Sequence, residues 1–281
     1  MLKRINWYKI LFISIWTISL ASLLLLMGFV HKKDRETLCK EVKIWITGHQ
    51  FFIEQQEVHA IMFQGNPVIG KKLATINLHR IEKRLTSNPY IQYAQVYADL
   101  DGVIYVNIKQ REPILRIFNG INQDFYIDQN GYKMPVSINY TAPVLVANGH
   151  IEETFNYKID TLKTPIAKNL YQIAKFVQQN NFWNQQIEQI FVRENGDIEL
   201  TPRVGEHQII LGTADSLAIK FNQLMAFYKQ ILPKKGWSTY KNINLKYARQ
   251  IVCEHKGIIK EVDSNSIAKI ENSLQFSNTT R

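Results

Sequence analysis

The sequence predicts an α+β protein with a transmembrane helix near its N-terminal end, a β-α-α-β-β domain, and then a β-rich domain with two helices. Three observations carry this reading. Ile10–Val30 holds no charged residue over 21 positions, and about 20 are needed to cross a bilayer as a helix. From Val42 to Lys109 the apolar spacing switches between a period of two and a period of 3.6, in the order strand, helix, helix, strand, strand. From Ile114 the pattern turns to short alternating runs separated by turn signals, with two amphipathic stretches among them.

Each element has a local reason. Residues 1–9 form a short tail ahead of the apolar run, with Trp7, Tyr8 and Trp16 near its first end, as in an interfacial aromatic belt. The run is longer than the apolar core of a cleaved signal peptide, about 7–15 residues, which favours an uncleaved anchor over residues 10–30. Lys3, Arg4 and Lys9 precede it. Lys32, Lys33, Arg35, Lys40 and Lys43 follow it, so charge bias alone does not fix the orientation. Residues 31–40 read as a charged linker. Val42, Ile44 and Ile46 then alternate as a strand ended by Gly48-His49. Ile53, Val58, Ile61 and Met62 share a helix face over Ile53–Met62. Gly65, Pro67 and Gly70 mark a loop. Asn77 caps a second helix carrying Leu78, Ile81 and Leu85, and Asn88-Pro89 stops it. Strands Ile91–Ala98 and Val103–Lys109 flank the Asp101-Gly102 turn. Together 41–111 predict a three-stranded sheet with two helices on one face.

The second domain, 112–256, opens with strand-like residues from Ile114. Hairpins are expected around Gln129-Asn130-Gly131, between Asp124–Ile127 and Tyr132–Met134, and around Asn195-Gly196, between Ile190–Arg193 and Ile198–Leu200. Gln208–Leu211 adds a strand. Thr164-Pro165 starts a helix carrying Ile166, Leu170, Ile173 and Val177. Asp215–Leu232 is a second, carrying Leu217, Phe221, Leu224, Tyr228 and Ile231, ended by Pro233. Asn242–Cys253 is the last strand region. Residues 257–281 are polar and Ser/Asn-rich and are expected to be disordered.

The charge pattern and the motifs exclude more than they identify. The net charge is +10, and residues 1–35 supply half of it, with six basic residues against Asp34. That placement suits anionic lipid headgroups and leaves no basic patch with interleaved aromatics for nucleic acid. Gly65-Asn66-Pro67-Val68-Ile69-Gly70-Lys71-Lys72 lacks the Ser or Thr that ends a phosphate loop, and it follows a helical pattern where a buried strand is required. The seven histidines are scattered, and Asp99 and Asp101 read as turn residues. Asn139-Tyr140-Thr141 is a glycosylation sequon of no weight without a known host. Cys39 and Cys253 read as two separate thiols. No enzyme, cofactor, metal or small-molecule substrate is expected.

Gln110-Arg111-Glu112-Pro113 interrupts two strand-like runs. Pro113 cannot donate to a sheet ladder and biases Glu112 toward an extended backbone. These four residues read as an interdomain joint, with a β-bulge inside one sheet as the alternative.

The ordered set of patterns resembles the bacterial FtsQ/DivIB family over residues 1–255. The features that carry it are Gly70–Leu73, the run Ile76–Pro113, Ala94-x-Val96, and the joint, with Gln110 where the family has Glu. Phe125–Pro135 is similar to the family's D-x-x-G hairpin, and Asn244-Leu245-Lys246-Tyr247 is similar to its D-L-R-Y signature, with two residues changed. The resemblance implies that 41–111 is a POTRA-type domain. It further implies a divisome scaffold without catalysis, single-pass in the inner membrane, with its N-terminus cytoplasmic, its soluble domains periplasmic, and enrichment at the septum. It would bind an FtsB/FtsL-type coiled-coil pair and control septal peptidoglycan synthesis. The implied contact is an edge strand comprising Tyr247, Ala248, Arg249, Gln250, Ile251, Val252 and Cys253, open to β-strand addition. An interior strand is the competing reading of that run. The rival functions are a POTRA-containing secretion or outer-membrane assembly factor and a membrane-anchored periplasmic hydrolase.

Overall fold

The computed structural model describes residues 7–48, 51–247 and 250–257. Ala248, Arg249, His49 and the tail from residue 258 therefore lie outside the described residues. The described residues form an α+β protein. Two compact units divide after Asn180.

In the first unit, helix α1 spans Trp7–Glu36. It takes up most of the expected linker, so only 37–40 separates it from the next strand. Among the described residues, no helix is long and apolar enough to cross a membrane. Within α1 the side chains described without a break are Leu11–Leu26. Every one of those side chains is exposed.

Strand β1 (Glu41–Thr47), helices α2 (Gln55–Phe63) and α3 (Leu78–Thr86), and strands β2 (Ile91–Ala98) and β3 (Val103–Gln110) then follow in the expected order. A single 3₁₀ turn, Leu73–Thr75, lies between the helices. The sheet order is β1-β3-β2, with β1 parallel and β2 antiparallel to β3. Val58, Met62, Ile81 and Leu85 from the helices pack with Ala94, Val96, Ile104, Val106 and Ile108 from the sheet. The α3 cap is the expected one: Arg80 N–H donates to the Asn77 side chain at 2.8 Å. α2 starts two residues later than expected, because Glu54 and Glu57 form a capping box there. Gly102 at the β2–β3 turn has φ +95°, and a Cβ there would collide with the Leu38 carbonyl, so only glycine fits.

The rest of this unit holds β4 (Pro113–Phe118), β5 (Asp124–Asp128), β6 (Lys133–Pro135), β7 (Leu145–Gly149) and α4 (Pro165–Gln179). Their order is β7-β4-β5-β6. β7 pairs parallel with β4, and the sequence pattern did not show it. The α4 cap is as expected, with Ala167 N–H donating to the Thr164 hydroxyl at 3.2 Å.

The second unit begins with a short helix, α5 (Asn181–Gln186), again not expected. It continues with β8 (Ile187–Val192), β9 (Ile198–Pro202), β10 (Gln208–Gly212), α6 (Leu217–Gln230), α7 (Leu232–Lys235), β11 (Tyr240–Asn244) and β12 (Val252–His255). The expected helix Asp215–Leu232 is two helices. Pro233 does not end it but sits in the first turn of α7, where its missing N–H costs no intrahelical bond. The strand order is β8-β9-β10-β11-β12.

Candidate functional site

The expected strand Asn242–Cys253 is corrected to two strands, β11 and β12. β11 runs parallel to β10, with Ile209 opposite Ile243. It then stops at Asn244, whose side chain accepts a bond from Lys246 N–H at 2.9 Å. Leu245 is buried, and its N–H donates to Ile210 O at 2.9 Å. Lys246 extends to Asp197, at 2.8 Å, and holds that carboxyl below its ordinary value. The chain returns as β12, antiparallel to β11, with Ile243 opposite Cys253 and Asn244 opposite Val252.

β12 is the last strand in its order, so its outer side has no strand neighbour among the described residues. Of the seven residues expected at this edge, Val252 and Cys253 are in the strand. Gln250 and Ile251 lead into it, and Tyr247 stands at the bend, 51% exposed. Val252 is 45% exposed. Burial pushes the Cys253 thiol up from its ordinary value, so it stays protonated and poorly reactive at neutral pH. Two edge residues escaped the sequence reading. Glu254, held below its ordinary value by bonds from Asn242 and then Lys241, and His255, against the Tyr240 ring at 4.8 Å, extend the edge beyond Cys253. The alternation that would have revealed them breaks at the register shift between Tyr240 and Asn242.

Beside the edge, Gln250 and Ile251 line a groove of about 240 Å³ with Gln223 and Phe227 of α6 and Ile231, the residue that follows it. The sequence reading assigned the apolar stripe of α6 to the core. Phe221, Leu224 and Tyr228 are core residues, but Ile231 is partly exposed at this groove. An open strand edge flanked by an apolar groove offers main-chain hydrogen bonds and a place for an alternate side chain of an added strand. Behind it, burial of Tyr228 raises its phenol, and its hydroxyl lies 2.7 Å from His207 Nε2. Both groups are buried.

The joint residues stand where one sheet hands over to the next. β3 ends at Gln110 and β4 begins at Pro113, the first residue of its strand. The Gln110 side-chain oxygen Oε1 accepts from Phe52 N–H at 3.1 Å and Ile53 N–H at 3.3 Å. Arg111 N–H donates to Tyr90 O at 2.8 Å, and its guanidinium bonds Asp128 at 2.7 Å. The Asp128 carboxylate also accepts from Asn130 and Tyr132 N–H in the next hairpin. The Glu112 carboxylate accepts from the Gln129 side chain. Phe52 stacks on Tyr90 and meets Tyr126 and Tyr140 edge-on.

Residues 112–254 match the family described as FtsQ/DivIB, C-terminal related. Residues 37–109 match the POTRA-like domain. The chain is similar to the cell division protein DivIB of Clostridium tetani (strain Massachusetts / E88), with 27% identity over 179 residues. That alignment covers 61% of this chain and 64% of the relative, so the chain spans a little under two thirds of the relative's length.

Proposed function

Because this chain belongs to the FtsQ/DivIB family, we propose that it is a non-catalytic scaffold of the bacterial division machinery that captures an FtsB/FtsL-type coiled-coil pair by strand addition to β12. α1 anchors it in the cytoplasmic membrane, with residues 1–9 inside and the folded part outside the cytoplasm, and through its partners it links early and late division proteins to septal peptidoglycan synthesis. The anchor reading draws on the uncharged run Ile10–Val30 and on the exposure of every described side chain from Leu11 to Leu26. Apolar side chains with no protein cover need lipid or another helix around them.

The observation that carries the partner reading is the open edge of β12. Val252 stands exposed on it, and Ile251 lies at the groove beside it. A partner strand would pair its backbone with β12 and set apolar side chains toward α6. The full chain in detergent, presented with the extracytoplasmic segments of an FtsB/FtsL-type pair, tests this. Val252→Glu should cut capture by about tenfold or more, since a charge is forced into the new pairing. The fold should survive, because the position is exposed. Unchanged capture by a folded variant would remove β12 as the contact.

A further inference from the structure

The chain leaving α1 is tied directly to a cationic groove of the first domain. Leu73 N–H donates to Thr37 O at 2.9 Å, Cys39 N–H to Lys71 O at 2.8 Å, and Gly70 N–H to Cys39 O at 2.7 Å. Thr37 is the first residue after α1, so residues 70–73 lie beside the helix exit. Next to them a groove of about 450 Å³ opens between α2 and α3. Lys71, Arg80 and Arg84 line it, together with the buried apolar residues Met62, Val68 and Ile81.

The three cations are poised for an external anion. Arg84 donates to Met62 O at 3.0 Å, which positions the guanidinium at the groove and leaves further N–H groups for a ligand. Arg80 and Arg84 are four residues apart on α3, so they share a face and repel each other. None of the three pairs with a carboxylate among the described residues. Cations over an apolar wall suit a ligand with an anionic head and an apolar body.

We propose that this groove binds the headgroup of an anionic phospholipid in the membrane that α1 enters, and so holds the first domain against the bilayer surface. The proposal rests on the reading of α1 as a membrane anchor. Position decides for lipid over a free anion or an acidic peptide. The end of an anchoring helix lies at headgroup depth, and Lys71 is bonded through its backbone to the residues that follow that end.

The test places the full chain in nanodiscs of phosphatidylcholine alone or mixed equally with phosphatidylglycerol. Hydrogen exchange of residues 66–84 is followed in the wild type and in a Lys71→Ser/Arg80→Ser variant, whose two changes are at exposed positions. Phosphatidylglycerol should slow exchange in the wild type, and the variant should lose roughly fivefold of that protection per cation removed. Absence of slowing in the wild type, or equal slowing in the variant, overturns the site. So does equal slowing by inorganic phosphate or an acidic peptide in phosphatidylcholine discs. A chain that enters no nanodisc overturns the anchor and the headgroup site together. A chain that enters without lipid-dependent protection overturns the groove alone.

Discussion

Lys133 and Glu153 show what one buried pair does in the first unit. Both side chains are almost fully enclosed, with Nζ 2.5 Å from Oε1. Lys133 also donates to Thr154 O at 2.9 Å. Glu153 accepts from Thr164 N–H at 2.7 Å and from its hydroxyl at 2.8 Å, at the start of α4. Burial works to raise the Glu153 carboxyl, but the bonds from Lys133 and Thr164 outweigh it and hold it below its ordinary 4.5. A depressed folded value stabilises the fold above the unfolded value, and that stability is lost as pH falls through the folded one. Glu153→Gln should therefore cost about 3 kcal/mol or more at neutral pH, because buried Lys133 keeps only the more distant Asp160 carboxylate, at 3.9 Å, as a charge partner. It should also flatten the fall in stability below pH 4.5. Urea midpoints across that range would check both, and a variant with the wild-type acid slope would refute the assignment. The sequence hid this pair. Lys133 sits in an ordinary strand pattern, and its partner is too far along the chain for local spacing to connect them.

At the scale of elements, the joint between β3 and β4 is a packed structure more than a hinge. Gln110 and Arg111 were legible as breaks in a strand pattern, because proline and charge punctuate locally. Phe52 was not, although it is 1% exposed and stacks on Tyr90 at 5.5 Å. It precedes α2, and nothing in its neighbourhood announces partners from β5 or from the loop at Tyr140. Phe52→Ala should cost about 3–5 kcal/mol through the cavity it leaves, read as a lower denaturation midpoint with unchanged partner capture. A loss below about 1 kcal/mol would mean that the ring is not the weld described here. Hairpins at Asn130-Gly131 and Asn195-Gly196 were legible for the same local reason, since the turn residues specify them. β7 and α5 were not. β7 is held by its parallel pairing with β4. α5 is shorter than any helix stable alone, and Trp183 anchors it against Phe221 and Tyr228 at 5.0 and 5.6 Å.

At the scale of the whole molecule, the charge and the apolar surface are both concentrated at the N-terminal end. Half of the net charge brackets the uncharged run Ile10–Val30, whose side chains from Leu11 to Leu26 are all exposed and mostly apolar. If α1 is the membrane anchor, deletion of residues 1–36 should release the chain from membranes without detergent, whereas the full chain should stay with them through alkaline carbonate. Flotation of the two forms on a lipid gradient decides it. A full chain that washes off at high pH would reduce α1 to a peripheral or partner helix.

The order of elements from β1 to β3, the apolar run, the caps at Asn77 and Thr164, the two hairpins and the position of the joint were determined by the sequence itself. Each depends on residues within one or two turns of each other. Tertiary structure alone decided that the late apolar run would fold back at Leu245, that β12 would stand at the end of its sheet, and that Phe52, Asp128 and Arg111 would close the joint. The physical reason is that every strand carries the same backbone donors and acceptors. Whether they are left open depends on which distant segment pairs with them, and local pattern does not encode that choice.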